Sequence, residues 1–211
     1  MRSAYAIRPA IKADLGHLVA LREDAERWLR SEGIRQWTSD YADYARSALQ
    51  RAITDAAAWV VVDAEERVVA TASLSTTADP DFWGWLGADE QRDALYVGKM
   101  IVGLRVRGVG LGDAILNWAS TRALDEGRHW LRLDVRRDNT ALQGYYLDRG
   151  FTHVRVWHEP SRRTESGWLA QRPAGLVLPA PAVLTGHPGK ISTAPIGAVS
   201  AKTTGRNRRY A

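Results

Sequence analysis

The chain has 211 residues, 45% of them hydrophobic, enough for one well-cored domain with an appendage but cramped for two full domains. It has no cysteine, which excludes a disulfide framework, a thiolate metal site and a cysteine nucleophile. The net charge of +5 is uneven: residues 173–211 carry five basic residues (Lys190, Lys202, Arg206, Arg208, Arg209) and no acidic one, leaving 24 of each sign in residues 1–172. A neutral body gives no support to nucleic-acid binding by the whole protein, although the tip Arg206-Asn207-Arg208-Arg209 could touch polyanions weakly.

From the N-terminus, Met1-Arg2-Ser3 runs straight into a short β-prone stretch, Ala6 to Ala10, with no long apolar core of a signal peptide. No stretch approaches the roughly 20 apolar residues of a membrane span, so the cytoplasm is the expected location. Asp14 is placed to cap a helix whose apolar residues Leu15, Leu18, Val19, Leu21, Ala25, Trp28 and Leu29 recur at mostly three- and four-residue steps, ending near Gly33. A second helix is expected from about Asp43 to Ile53. Trp59 to Val62 and Arg67 to Leu74 flank the turn Asp63-Ala64-Glu65-Glu66 as an antiparallel hairpin. An aromatic loop follows, from Asp79 to Trp85.

The run Ala94 to Val102 reads as a strand, and Ala114, Ile115, Trp118, Ala119 and Arg122 follow at helical spacing, with Gly127 closing that helix. Between them, glycines sit where a strand turns into a helix N-terminus. Such a turn exposes unpaired N–H groups backed by the positive end of the helix dipole, and missing β-carbons let an anion come close. A dinucleotide fingerprint beginning at Gly108 and Gly110 fails because Asp113 occupies its last glycine position. A Walker loop fails because no Gly-Lys-Ser/Thr follows. What remains is Arg-x-x-Gly-x-Gly, with Arg107, Gly110 and Gly112 in place. Downstream, Trp130 to Val135 alternates like a strand, and Asn139 opens a helix ending at Arg149-Gly150. Thr152 to Trp157 and Trp168 to Gln171 form a last pair of strands.

The Arg107–Gly112 run resembles the acetyl-CoA pyrophosphate loop of the GNAT superfamily of N-acetyltransferases. A second block, Asn139-Thr140-Ala141-Leu142-Gln143-Gly144-Tyr145-Tyr146-Leu147-Asp148-Arg149-Gly150-Phe151, resembles that superfamily's Asn-x-x-Ala-x-x-Leu-Tyr-x-x-x-Gly-Phe. Asn139, Tyr146, Gly150 and Phe151 match, and Ala141 falls one residue early. The resemblance spans about Tyr5 to Gln171. It implies one α/β domain over residues 1–172, with a central mixed, mainly antiparallel sheet flanked by helices. Residues 173–211, which hold five of the eight prolines, form a basic, Pro/Gly-rich extension outside the resemblance. It is expected to be mostly disordered, with Leu176-Val177-Leu178 and Ala182-Val183-Leu184 as patches that could dock.

Acetyl transfer to an amine needs a held thioester, a neutral nitrogen, stabilisation of the oxyanion and a proton for the departing thiolate. The resemblance implies that acetyl-CoA, as cosubstrate, is held by Arg107, Gly108, Val109, Gly110, Leu111 and Gly112. The backbone of Met100, Ile101 and Val102 would pair with the pantetheine arm, and Asn139 would reach that arm or act simply as a helix cap. Tyr146 falls at the general-acid position. For the base, Asp134, Asp93 and Glu90 are candidates. Asp134 is the most interesting, because a carboxylate amid Leu131, Leu133 and Val135 is costly unless paired. Trp28, Trp37, Asp40, Trp83 and Trp85 are suspects for the acceptor site, where an aromatic wall suits an amine in its ammonium form. The histidines lie at no metal-ligand spacing, and no metal is expected. The implied acceptor is a primary amine on a small molecule or peptide, attacking directly in a ternary complex. A non-catalytic acyl-CoA-binding sensor is the rival reading. Neither a membrane nor nucleic acid is expected as partner, and a monomer or a homodimer is compatible with the sequence.

Overall fold

The computed structural model describes residues 4–34, 42–158, 166–186 and 189–196. Its centre is an eight-stranded mixed sheet made of β1 (Ala4–Pro9), β2 (Ala58–Val62), β3 (Val68–Ser75), β4 (Ala94–Val102), β5 (Trp130–Arg136), β6 (Thr152–Val156), β7 (Ser166–Pro173) and β8 (Val183–Gly186). The spatial order is β6-β7-β5-β4-β3-β2-β1-β8. All neighbours run antiparallel except β4 with β5 and β1 with β8, so the expected mixed, mainly antiparallel sheet is present.

Among the described residues six α-helices accompany it: α1 (Leu15–Ser31), α2 (Ala42–Thr54), α3 (Pro80–Trp83), α4 (Ala88–Arg92), α5 (Leu111–Asp125) and α6 (Thr140–Leu147). One face of the sheet, through Ile7, Trp59, Val61, Leu95, Val97, Leu131 and Leu133, packs on Leu111, Ile115, Leu116 and Ala119 of α5. The opposite face buries Val60 and Val62 against Leu18 and Leu49 of α1 and α2. Farther along that face, Tyr96 and Leu169 meet Phe82 and Trp83 of α3. Strand β2 is covered on both sides, which is why all five of its residues are buried and its sequence is an unbroken apolar run rather than an alternating one.

Local chemistry explains the differences from the sequence expectation. Asp14 precedes α1 as expected but does not cap it: its carboxylate accepts from the Ile11 N–H at 2.8 Å and from the Arg8 guanidinium at 2.7 and 3.0 Å. The expected aromatic loop is instead the helical turn α3, because Asp79 accepts from the Asp81 N–H at 3.0 Å and Pro80 occupies the first helical position. Helix α4 follows a capping arrangement in which the Glu90 carboxylate accepts from the Gly87 N–H at 3.1 Å, a signal that the sequence reading passed over.

The extension, expected to be mostly disordered with patches that could dock, lies against the domain over residues 173–186 and 189–196. The Asn117 amide clamps Leu178 in both directions, at 2.7 and 3.1 Å. Ala182 is buried, and β8 covers the free edge of β1. Ser192 then bridges to Ser75 at the far end of β3. Residues 197–211, with the basic tip, lie outside the described residues.

Candidate active site

Strands β4 and β5 pair in parallel only from Ala94↔Trp130 to Tyr96↔Arg132. Beyond that point each continues without the other, β4 held by β3 and β5 by β7. The sheet therefore opens as a wedge lined by Val97 to Val102 on one side and Leu133 to Arg136 on the other. Met100, Ile101 and Val102, expected to pair with the pantetheine arm, lie on this open side of β4. Strand β4 also bulges: Thr71 faces Ile101 and Ser73 faces Gly98, so Lys99 and Met100 together oppose Ala72. Lys99 takes the bulge conformation with φ +49°, a left-handed backbone that costs a non-glycine residue of order 1 kcal/mol.

At the end of β4 a single 3-10 turn, Leu104–Val106, leads to Arg107 and the glycine run. Gly108 and Gly110 have φ of +78° and +80°, which turns the chain into α5. Leu111 is sunk in the core and anchors the helix start. Among the described residues, the N–H groups of Gly108 to Asp113 make no hydrogen bond. A row of unpaired donors at a helix N-terminus is the arrangement that suits a pyrophosphate, so the residues present fit acetyl-CoA. The Arg107 guanidinium lies 3.6 Å from the centroid of the Trp28 ring. That stack places the Trp28 ring, proposed for the acceptor site, beside the start of the glycine loop.

Helix α6 supplies the phenol. Asn139 caps it, its Oδ1 accepting from the Leu142 N–H at 2.9 Å, so the capping role assigned to it is present. Tyr146 packs edge-on to Phe151 at 5.4 Å and Tyr145 at 5.3 Å, and is buried. Its hydroxyl makes no hydrogen bond among the described residues. Burial first, then the neighbouring Tyr145 and Asp134, push its pKa well above the ordinary phenol value, which keeps it protonated across the physiological range. Tyr145 is engaged elsewhere: its hydroxyl donates to Asp113 at 2.9 Å, and Arg149 covers its ring at 3.4 Å. The two adjacent tyrosines thus divide, one locking α6 to the first turn of α5 and the other left with a free hydroxyl.

Of the carboxylates considered as bases, Asp134 sits on the open side of β5, where its field acts on both Tyr146 and Lys99. Asp93 and Glu90 stand before the start of β4, where Asp93 meets the His129 ring and Glu90 caps α4. Trp83 is a core residue, 2% exposed and tilted against Tyr96 at 5.9 Å. Trp85 is 40% exposed, with Arg155 over its ring at 4.9 Å. Trp37 and Asp40 lie outside the described residues. Sequence reasoning missed Lys99. Its signal was there: a lone cation in the apolar run Leu95 to Val102, in a chain with 25 arginines and only 4 lysines. Among the described residues no His, Asp and Glu side chains cluster as a metal site, and no helix is long and apolar enough to cross a membrane.

A wedge-split mixed sheet, a donor-rich loop after the central strand and a buried phenol beside the gap define an acyl-CoA-dependent acyltransferase fold. The model of the acetyltransferase (GNAT) family matches residues 20–151, and the chain belongs to that family. An N-acetyltransferase of Bacillus subtilis (strain 168), YesJ, itself uncharacterised, is 27% identical over 143 residues, which cover 68% of this chain and 79% of the relative. The crystal structure of a GNAT-family acetyltransferase from Listeria monocytogenes superposes with a TM-score of 0.64 at 19% identity, covering 80% of this chain and 94% of that one. N-acetylglutamate synthase from Neisseria gonorrhoeae, solved with coenzyme A and N-acetyl-glutamate, gives a TM-score of 0.53 at 18% identity over 81% of this chain and 35% of the synthase. The family uses acetyl-CoA, and the chain is an acetyltransferase.

Proposed function

We propose that this acetyltransferase moves the acetyl group of acetyl-CoA to a primary amine of a small molecule or peptide, by direct attack within a ternary complex. The observation that carries the reading is the free phenol of Tyr146. Tyr146 is buried at the wedge, kept protonated by its surroundings and without a hydrogen-bond partner among the described residues. A pure acyl-CoA binder has no use for such a group beside the sulfur.

In this reading the N–H row from Gly108 to Gly112 and the Arg107 guanidinium hold the pyrophosphate. The open edge of β4 from Met100 to Val102 aligns the pantetheine arm, and Asn139 contributes from the cap of α6. The amine enters from the opposite face of the sheet, the one carrying α1, α2 and α3. Tyr146 gives its proton to the sulfur as the C–S bond breaks.

The test is thiol release from acetyl-CoA with a panel of spermidine, free amino acids and an alanine-initiated peptide, for the wild type and Tyr146→Phe. Turnover is expected with at least one amine. The variant is expected to lose 10²-fold or more of kcat, the usual weight of a general acid, while its acetyl-CoA affinity by calorimetry stays within twofold. Acetyl-CoA binding without turnover on any amine, or unchanged kcat in the variant, would refute the reading.

A further inference from the structure

The β4 bulge carries a side chain that the reaction described above leaves without a task. Lys99 holds a left-handed backbone conformation in the central strand, at the point where β4 and β5 have parted. The last paired residues are Tyr96 and Arg132. Two residues farther along each strand, about 7 Å on at the rise of a strand, stand Gly98 with the Lys99 bulge on one rim and Asp134 on the other.

The faces can be assigned from packing. Leu95, Val97, Leu131, Leu133 and Val135 all pack on the α5 side, as does Tyr146. Asp134 alternates to the other side. The charged groups that act on Lys99 belong to the elements covering that side: Arg51 and Asp55 at the end of α2, Asp79 at the start of α3, and Asp134 on β5. Tyr146 and Lys99 therefore face the wedge from opposite sides of the sheet, and Asp134, on the Lys99 side, acts electrostatically on both.

From this geometry we infer that Lys99 is the general base of the acetyl transfer, accepting a proton from the ammonium form of the acceptor as it enters from the α1/α2 face. The inference rests on the proposed amine acetylation and names a residue for its missing half. Desolvation, the largest influence, and the Arg51 guanidinium lower the Lys99 pKa, against the opposing pull of Asp134, Asp79 and Asp55. The amine is thereby brought toward the neutral form that a base requires. Arginine, the cation this chain prefers at nearly every other position, holds its proton too tightly for the task, which gives a chemical reason for lysine here.

The step balances. Lys99 takes one proton from the nitrogen, the freed lone pair forms the C–N bond to the acetyl carbon, and the C–S bond breaks. The sulfur receives the Tyr146 proton, and the second proton leaving the nitrogen restores the phenol. Lys99 is not wholly enclosed, so its proton passes to water between turnovers.

The decisive comparison is Lys99→Arg with Lys99→Met, assayed on the best acceptor of the amine panel from pH 6 to pH 10. A base role predicts that both lose 10²-fold or more of kcat while acetyl-CoA binding and the circular dichroism spectrum are retained. It also predicts that the rising limb of kcat/KM with pH moves upward in both variants. Because Asp134 opposes the lowering, Asp134→Asn should move that limb to lower pH. Rescue by Lys99→Arg would overturn the inference, since arginine restores a charge or a substrate anchor but not a base. An unmoved limb in the Asp134 variant would overturn it as well. If the wild type acetylates no amine in the panel, the proposed function falls and this inference with it; if the wild type and Lys99→Arg turn over alike, only the inference falls.

Discussion

Substituting alanine at Gly108 and at Gly110 separates two costs that the glycine loop conceals. Both residues adopt positive φ, +78° and +80°, so either alanine carries a left-handed backbone penalty of roughly 1–2 kcal/mol. Their surroundings differ. A β-carbon on Gly108 meets nothing within 4 Å, whereas one on Gly110 lands 2.4 Å from Cδ, 3.0 Å from Cγ and 3.2 Å from N of Pro181. Restoring a normal carbon–carbon contact requires about 1 Å of movement, since such contacts lie near 3.5–4.0 Å. Pro181 is rigid and tethered between the Asn117–Leu178 clamp and β8. Overpacking of this kind typically adds about 1–3 kcal/mol. Gly108→Ala should thus destabilise by roughly 1–2 kcal/mol and Gly110→Ala by roughly 2–5 kcal/mol. Urea unfolding followed by tryptophan fluorescence measures both. Pro181→Ala removes Cγ and Cδ, and in a double-mutant cycle it should recover about 1–3 kcal/mol of the Gly110→Ala loss. A coupling energy within about 0.5 kcal/mol of zero, or a Gly110 variant no worse than the Gly108 variant, would refute the seating of the extension on the glycine loop.

Two further outcomes follow from the site. Arg107→Ala should weaken acetyl-CoA binding about 10- to 100-fold in calorimetry, the weight of one lost charge-assisted hydrogen bond, and Trp28→Ala should weaken it less, because it removes only the stack that orients the guanidinium. Lys99→Met should raise stability at neutral pH: with a folded-state pKa below the unfolded value of about 10.4, the folded chain binds fewer protons, so wild-type stability rises with pH through that window. The advantage of the methionine variant should accordingly narrow as pH approaches 10, and thermal melts of the two proteins at pH 7 and pH 9.5 check the sign.

Much of the fold was legible because its signals are local. Two β-prone runs around the turn Asp63-Ala64-Glu65-Glu66 gave the hairpin of β2 and β3. The glycine run marked the start of α5, and Asn139 the start of α6, since a cap or a left-handed turn is decided by a few adjacent residues. The site was less legible in proportion to how far its parts lie apart in sequence. That Trp28 belongs with Arg107, 79 residues away, follows only from α1 crossing the sheet beside the end of β4. The aromatic segment near Trp83 looked like a binding loop because its helical turn is short, and its ring is buried by Tyr96 and Arg132 from other strands. Lys99 was hidden by its own strand: a cation in an apolar run reads as an exposed edge until the bulge and the parting of β4 from β5 are seen.

Composition alone did not indicate where the described part of the extension sits. Its prolines and missing amphipathic period leave it unable to form a core alone, yet the domain offers what it lacks. Strand β1 has an unpaired edge that β8 fills. Asn117 supplies both a donor and an acceptor to Leu178, and Arg122 donates to the Gly189 carbonyl at 2.8 Å. The path then passes Ser192, whose hydroxyl donates to the Asp55 carbonyl at 2.5 Å, and reaches Ile196 against the Phe82–Trp83–Tyr96 cluster. One segment thereby touches the glycine loop through Pro181 and the α3-bearing face of β4 through Ile196. In the proposed reaction these are the cofactor side and the acceptor side of the same wedge, which would make the extension a strap across β4.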